Sequence, residues 1–181
     1  MFNVGDNILV KPSGWSFKGK MVDDFDNHLK RSVPLYDESH KLITGLSDFF
    51  VKANSINYEL GSSTGTLSYK LAKHNESKNA KFIGIEIEED MVKKANQNYQ
   101  LPNLEYVLGD VIEYDFDETS FIVSYYCLQF ISIEHRQILV NKIFDNLRKG
   151  GAFVLFEKIR ADDAQCQDIT TALYNDFKIQ N

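Results

Sequence analysis

From residue 55 onward the hydrophobic positions follow two alternating rhythms. Short apolar runs predict buried strands over Ser55–Leu60, Lys81–Glu86, Leu104–Leu108, Phe121–Tyr126 and Ala152–Phe156. Between them apolar residues recur at helical spacing, as Leu139, Ile143 and Leu147 do at i, i+4 and i+8. Strands separated by helices predict a parallel sheet, because parallel neighbours need crossovers. The expected fold is therefore α/β and Rossmann-like, with about five strands and helices on both faces. Such sheets bind ligands at the carboxyl ends of their strands. Before residue 50 the pattern is helical: Val22, Phe25 and Leu29 share one face, as do Leu42, Leu46, Phe49 and Phe50, and Pro34 separates the two helices. Residues 1–50 are expected to join residues 51–181 in one domain.

The first strand runs into Glu59-Leu60-Gly61-Ser62-Ser63-Thr64-Gly65-Thr66 and then into a helix. A glycine turn at that junction is a nucleoside-cofactor signature. The spacing is not that of a dinucleotide fingerprint, since Ser63 and Thr66 stand where G-x-G-x-x-G needs glycine, so an NAD-type oxidoreductase is disfavoured. An acidic residue at the strand end, Glu59, followed by the two glycines suits a nucleoside with an amino-acid tail, namely S-adenosylmethionine. Its ammonium can meet a carboxylate, and its carboxylate the helix N-terminus. The second strand ends in Glu86, where a carboxylate can accept both ribose hydroxyls. The third ends in Leu108-Gly109-Asp110-Val111, where Asp110 can take the adenine amino proton between apolar neighbours. Glu88, Glu89 and Asp90, at the start of the next helix, read as capping residues.

Composition narrows the class without changing this picture. The 181 residues, 43% hydrophobic and 25% charged, suit one globular domain. No apolar run approaches the ~20 residues that span a bilayer, the N-terminus lacks a secretion signal, and the protein is expected to be cytoplasmic. A net charge of −6 opposes direct nucleic-acid binding, leaving a small-molecule substrate as the expected partner. Cys127 and Cys166 read as small hydrophobes. His28, His40, His74 and His135 show no metal-ligand spacing and read as solvated or capping groups. Gly61-Ser62-Ser63-Thr64-Gly65 does not make the G-x-S-x-G elbow of a serine hydrolase. No catalytic acid–base pair stands out, and transfer from a sulfonium needs none, since it depends chiefly on alignment and exclusion of water.

The run Glu59–Gly65, Glu86, Gly109-Asp110 and Leu147-Arg148-Lys149-Gly150-Gly151-Ala152 resembles the class I S-adenosylmethionine-dependent methyltransferases. Within them, several segments resemble the carboxy-S-adenosylmethionine synthase family. These are Gly14-Trp15-Ser16-Phe17, Arg31-Ser32-Val33-Pro34-Leu35-Tyr36, Leu128-Gln129-Phe130, Glu157-Lys158 and Asn175-Asp176-Phe177-Lys178. The resemblance implies a cytosolic, usually dimeric enzyme that makes carboxy-S-adenosylmethionine from S-adenosylmethionine and prephenate for tRNA wobble-uridine modification. It implies that Tyr36 closes over the cofactor with the N-terminal helices as a lid. Gly61, Ser62 and Ser63 would line the methionine end, Glu86 with Ile87 would hold the ribose, and Asp110 with Val111 the adenine. Tyr125 stands where the family has an asparagine.

Family members continue past the counterpart of Asn181, supplying two last strands and an arginine for the cofactor's extra carboxylate. By the resemblance this chain is C-terminally shortened, with Arg160 and Arg136 as candidate substitutes for that arginine. The strand Ala152–Phe156 is then expected at an open sheet edge, and Ile169, Leu173 and Phe177 form a helical stripe that would pack on the domain or on a homodimer partner. A small-substrate methyltransferase and a non-catalytic S-adenosylmethionine-binding module are the alternatives on the same site residues.

Overall fold

The computed structural model describes residues 2–3, 9–10 and 20–180. The Gly14–Phe17 segment lies outside the described residues. Strands β1 (Phe2–Asn3) and β2 (Leu9–Val10) pair antiparallel. Helices α1 (Lys20–Asp23), α2 (Phe25–Ser32) and α3 (Tyr36–Phe50) follow, α2 and α3 separated by the turn at Pro34. The remainder alternates as expected: β3 (Ile56–Leu60), α4 (Thr66–His74), β4 (Lys81–Glu86), α5 (Glu89–Asn98), β5 (Leu104–Leu108), β6 (Thr119–Tyr125), α6 (Ile133–Asn146), β7 (Leu147–Phe156) and α7 (Ala164–Gln180).

The five strands β3 to β7 form one parallel sheet in the order β5-β4-β3-β6-β7. Strand side chains alternate between faces, and the core divides accordingly. Phe121 and Val123 join Ile43 of α3 and Leu67 and Leu71 of α4, whereas Ile122, between them, joins Leu139 and Ile143 of α6. Helices therefore cover both faces. A smaller cluster of Val22, Phe25 and Met91, with Leu29 against it, seats α1 and α2 on α5. The strand order reverses direction between β3 and β6, and at such a switch point a crevice opens at the strands' carboxyl ends.

Three features depart from the apolar pattern. On α3 the side turned to the core is Tyr36, Ser39, His40, Ile43 and Ser47, while Leu42 and Phe49 stand exposed. The polar members of that buried side have partners on α4 and just beyond it, Lys70 for His40 and Asn75 for Ser47, which is what a count of apolar spacing cannot register. Leu147 starts β7 instead of ending α6, because it pairs with Thr119; the Gly150–Gly151 turn then forms part of an irregularity inside the strand. On α7 no residue is buried, and Ile169 and Leu173 are largely exposed. Among the described residues β7 pairs with β6 alone.

Candidate functional site

The crevice at the switch point is a cleft of about 1230 Å³. Tyr36, Glu59, Gly61, Ser62, Ser63, Glu86, Ile87, Asp110, Val111 and Tyr125 all line it. Gly65 does not; it sits behind the loop. There it starts α4 with φ of 84°, and Tyr106 Oη donates to its carbonyl oxygen at 3.0 Å. A Cβ at Gly65 would lie 2.5 Å from that same Tyr106 oxygen, so both the backbone angle and the space require glycine. Gly61, with φ of 69°, is hemmed in similarly by the Cys127 sulfur.

Glu86, at the end of β4, holds the loop. Its Oε2 accepts the Ser63 N–H at 2.8 Å and its Oε1 the Glu88 N–H at 2.9 Å. The carboxylate thus does the capping at the start of α5, where the Glu88 side chain makes no capping hydrogen bond. A carboxylate offers about four acceptor sites, so these contacts leave capacity for a ligand. Burial raises the Glu86 pKa against the lowering effect of these N–H donors. Asp110 is exposed and its Oδ1 accepts the Ile112 N–H at 2.8 Å, which shapes the turn after β5. Beside it, exposed Ile87 and buried Val111 leave an apolar slot.

The other end of the cleft is deeper. Glu59 is fully enclosed, accepts a hydrogen bond from Ser68 Oγ, and has its carboxyl pushed up to about 8 by desolvation. It is therefore protonated at neutral pH, unlike the ionised carboxylate expected from the sequence, and an arriving cation would have to displace that proton. Above it stand Tyr36 and Tyr125, 6.0 Å apart, with His40 against both rings. Burial lifts the Cys127 thiol to about 12 and drops the His40 imidazole to about 3. These groups stay neutral near pH 7, so this wall offers hydrogen bonds and shape, with no ready base or nucleophile. Two side chains that line the cleft, Ser62 and His40, each bury a polar atom, Oγ and Nε2, that has no hydrogen-bond partner among the described residues. Orphaned polar atoms of this kind are what a polar ligand satisfies.

The N-terminal segment meets the loop directly. Asp26 Oδ1 of α2 accepts from Thr64 Oγ1 at 2.5 Å and from Thr66 Oγ1 at 3.2 Å. Opposite, α7 lines the cleft with Gln167, Thr170, Thr171 and Tyr174 together with Leu173 and Phe177 of the expected stripe, whereas Ile169 does not line it. Neither Arg136 nor Arg160 lines it; Arg136 is committed to the carbonyl oxygens of Ile131 and Gln129. Of the histidines, His74 pairs with Asp48 and His135 with Ser132, but His28 and His40 are buried, contrary to the expected solvated roles. Cys166 is exposed on α7, so it is not a core residue. His40 carried no sequence signal beyond lying one helical turn after Tyr36.

Residues 58–151 match the methyltransferase-domain family. The carboxy-S-adenosyl-L-methionine synthase of Staphylococcus epidermidis is 36% identical over 171 residues, 94% of this chain and 75% of that protein. The one from Ruthia magnifica is 34% identical over 181 residues, 97% of this chain and 76% of that protein. Among solved structures, the YcgJ protein from Bacillus subtilis superposes with a TM-score of 0.62 at 17% identity, over 76% of this chain and 58% of that one. Phosphoethanolamine N-methyltransferase 1 of Haemonchus contortus, solved with phosphoethanolamine and S-adenosylhomocysteine, gives 0.60 at 20% identity, over 76% of this chain and 30% of that one. These two structural likenesses concern the fold.

Proposed function

The chain belongs to the carboxy-S-adenosyl-L-methionine synthase family of methyltransferase-domain proteins, and on that premise we propose that it is an S-adenosylmethionine-dependent transferase that converts this cofactor to its carboxylated form. The observation that carries the reading is the strand-end cleft, where a glycine loop, a ribose-capable carboxylate and an apolar slot stand in the order that a nucleoside with an amino-acid tail requires. Glu86 accepts the ribose hydroxyls through the lone pairs left by Ser63 and Glu88. Ile87 and Val111 hold the adenine between them, with Asp110 at its amino group. The backbone of Gly61 to Ser63 faces the methionyl end, in a turn that requires glycine at both ends because a Cβ at Gly61 would meet Cys127 and one at Gly65 would meet Tyr106.

Bound S-adenosylmethionine supplies a methyl carbon activated by its sulfonium, and prephenate is the proposed source of the carboxyl. The chain's own residues bind, align and exclude water. Tyr36 roofs the deep end, and helices α1 to α3 act as a lid latched to the loop through Asp26. The product feeds tRNA wobble-uridine modification in the cytoplasm, with the enzyme as a homodimer and without direct contact to RNA. No helix among the described residues is long and apolar enough to cross a membrane.

The test is incubation of the chain with S-adenosylmethionine and prephenate, followed by mass spectrometry. A product heavier than the cofactor by the mass of carbon dioxide is expected, one methyl hydrogen having been replaced by a carboxyl group. Methylation of an added acceptor with no such product would favour a small-substrate methyltransferase instead.

A further inference from the structure

His40 is 1% exposed, with the Tyr36 ring 4.3 Å and the Tyr125 ring 4.9 Å from its own. Its two nitrogens meet different surroundings. Nδ1 lies 3.1 Å from Nζ of Lys70 on α4. An ammonium only donates, so Nδ1 must be the bare, accepting nitrogen. Burial and the same lysine keep the ring from taking a second proton. The single imidazole proton therefore sits on Nε2, which has no hydrogen-bond partner among the described residues. His40 lines the cleft and Lys70 does not, so the ring separates the lysine from the cavity. The hydroxyls beside it form a chain of their own. Ser39 Oγ donates to the Tyr36 carbonyl oxygen at 2.8 Å and so accepts from Tyr125 Oη at 2.7 Å.

We propose that His40 Nε2–H is a carboxylate-binding donor of the cleft, receiving one carboxylate oxygen of a bound small molecule beside Tyr36 and Tyr125. The inference rests on the function proposed above and deepens it by assigning an anion subsite to its deep end. An anionic oxygen is favoured over a neutral one because the Lys70 charge, relayed through the imidazole, strengthens the Nε2–H as a donor. Three acids reach this corner: Glu59 is protonated in its enclosure, Asp26 accepts from Thr64 and Thr66, and Asp37, which acts on His40, is itself paired with Lys70 at 3.6 Å. Two sources could supply the oxygen, the amino-acid carboxylate of the cofactor or a carboxylate of the second substrate.

Histidine-labelled full chain decides this by its ¹H–¹⁵N spectrum, with the His40 signals assigned from the His40→Phe variant. His40 should be the Nε2–H tautomer, and its proton should move downfield when a carboxylate ligand binds. A shift on adding S-adenosylhomocysteine, with none on adding the decarboxylated analogue, identifies the cofactor's carboxylate. A shift that appears only with prephenate identifies the second substrate's. His40→Phe, which keeps an aromatic ring, should weaken the responsible ligand about tenfold, the effect of one lost charge-assisted hydrogen bond. His40→Gln, which retains a donor, should restore part of that loss. A proton on Nδ1, or an Nε2–H that neither ligand moves, overturns the proposal. If His40→Phe does not fold, His40→Gln supplies the assignment and the wild-type spectrum still decides the outcome. S-adenosylhomocysteine that binds while His40 moves with neither it nor prephenate overturns only this subsite; failure of S-adenosylhomocysteine to bind at all overturns the proposed function and the subsite with it.

Discussion

Replacing Glu59 by glutamine should change how stability depends on pH. The side chain is 5% exposed, and its pKa rises from 4.5 to about 8 because burial penalises the charged form. Between those two values the native state holds a proton that the unfolded chain has released, so stability falls as pH rises. The contribution is complete below 4.5 and is lost as pH climbs through 8. Each pH unit in the window costs about 1.4 kcal/mol, or about 5 kcal/mol over the whole of it. His40 works in the opposite sense. Its pKa falls from 6.5 to about 3, so it makes the protein more stable as pH rises toward 6.5 and offsets Glu59 over much of the acidic range. The Glu59 effect is therefore exposed between pH 6.5 and 8, where it amounts to about 2 kcal/mol. Glutamine has nearly the same volume, can still accept from Ser68, and does not ionise. Urea unfolding followed by circular dichroism at several pH values should show that fall in the wild type between pH 6.5 and 8, and about 5 kcal/mol relative to Glu59→Gln from pH 4.5 to 8, since the His40 contribution is common to both and cancels in the difference. Parallel profiles for the two proteins would refute a protonated Glu59.

The same site yields further expectations. Glu86→Ala should weaken S-adenosylhomocysteine by about 1.5–3 kcal/mol, the cost of losing a charged hydrogen-bond partner, and calorimetry giving unchanged affinity would remove Glu86 from the ribose. Gly65→Ala must place a Cβ against buried Tyr106 at a backbone φ of 84°, so thermal or urea unfolding should report about 2–5 kcal/mol of destabilisation; a near-neutral result would contradict the close approach. If the ligand's ammonium pairs with Glu59, binding at pH 7 releases a proton. Calorimetry in buffers of differing ionisation enthalpy should detect that release in the wild type and lose it in Glu59→Gln.

Much of this architecture is legible in the residues because the central strands β3, β4 and β6 are buried on both faces and the helices between the strands are not. Lys81–Glu86 and Leu104–Leu108 coincide with the strands observed, and Ser55 falls just outside β3, where its hydroxyl and N–H both turn back to the Lys52 carbonyl oxygen while its own carbonyl oxygen still accepts the Lys81 N–H. The candidate ligand residues converge because each follows a strand, and parallel strands bring their ends together. What the pattern hides is polar burial. His40 and Ser47 look like surface positions on α3 until Lys70 and Asn75 arrive from another part of the chain. The protonation of Glu59 is equally invisible, since it depends on how completely α4 and the tyrosines enclose it. On α7 the apolar stripe is not buried against the sheet: Ile169 and Leu173 are largely exposed, while Leu173 and Phe177 line the cleft beside the polar Gln167, Thr170 and Thr171.

The central claim is that the strand-end cleft holds an S-adenosylmethionine-type ligand and not a dinucleotide. Calorimetric titration of the purified chain with S-adenosylhomocysteine, and separately with NAD, tests it most directly. Saturable binding of S-adenosylhomocysteine at one site per chain, with no heat from NAD, is the predicted result. Binding of NAD in the absence of any S-adenosylhomocysteine binding would contradict the account.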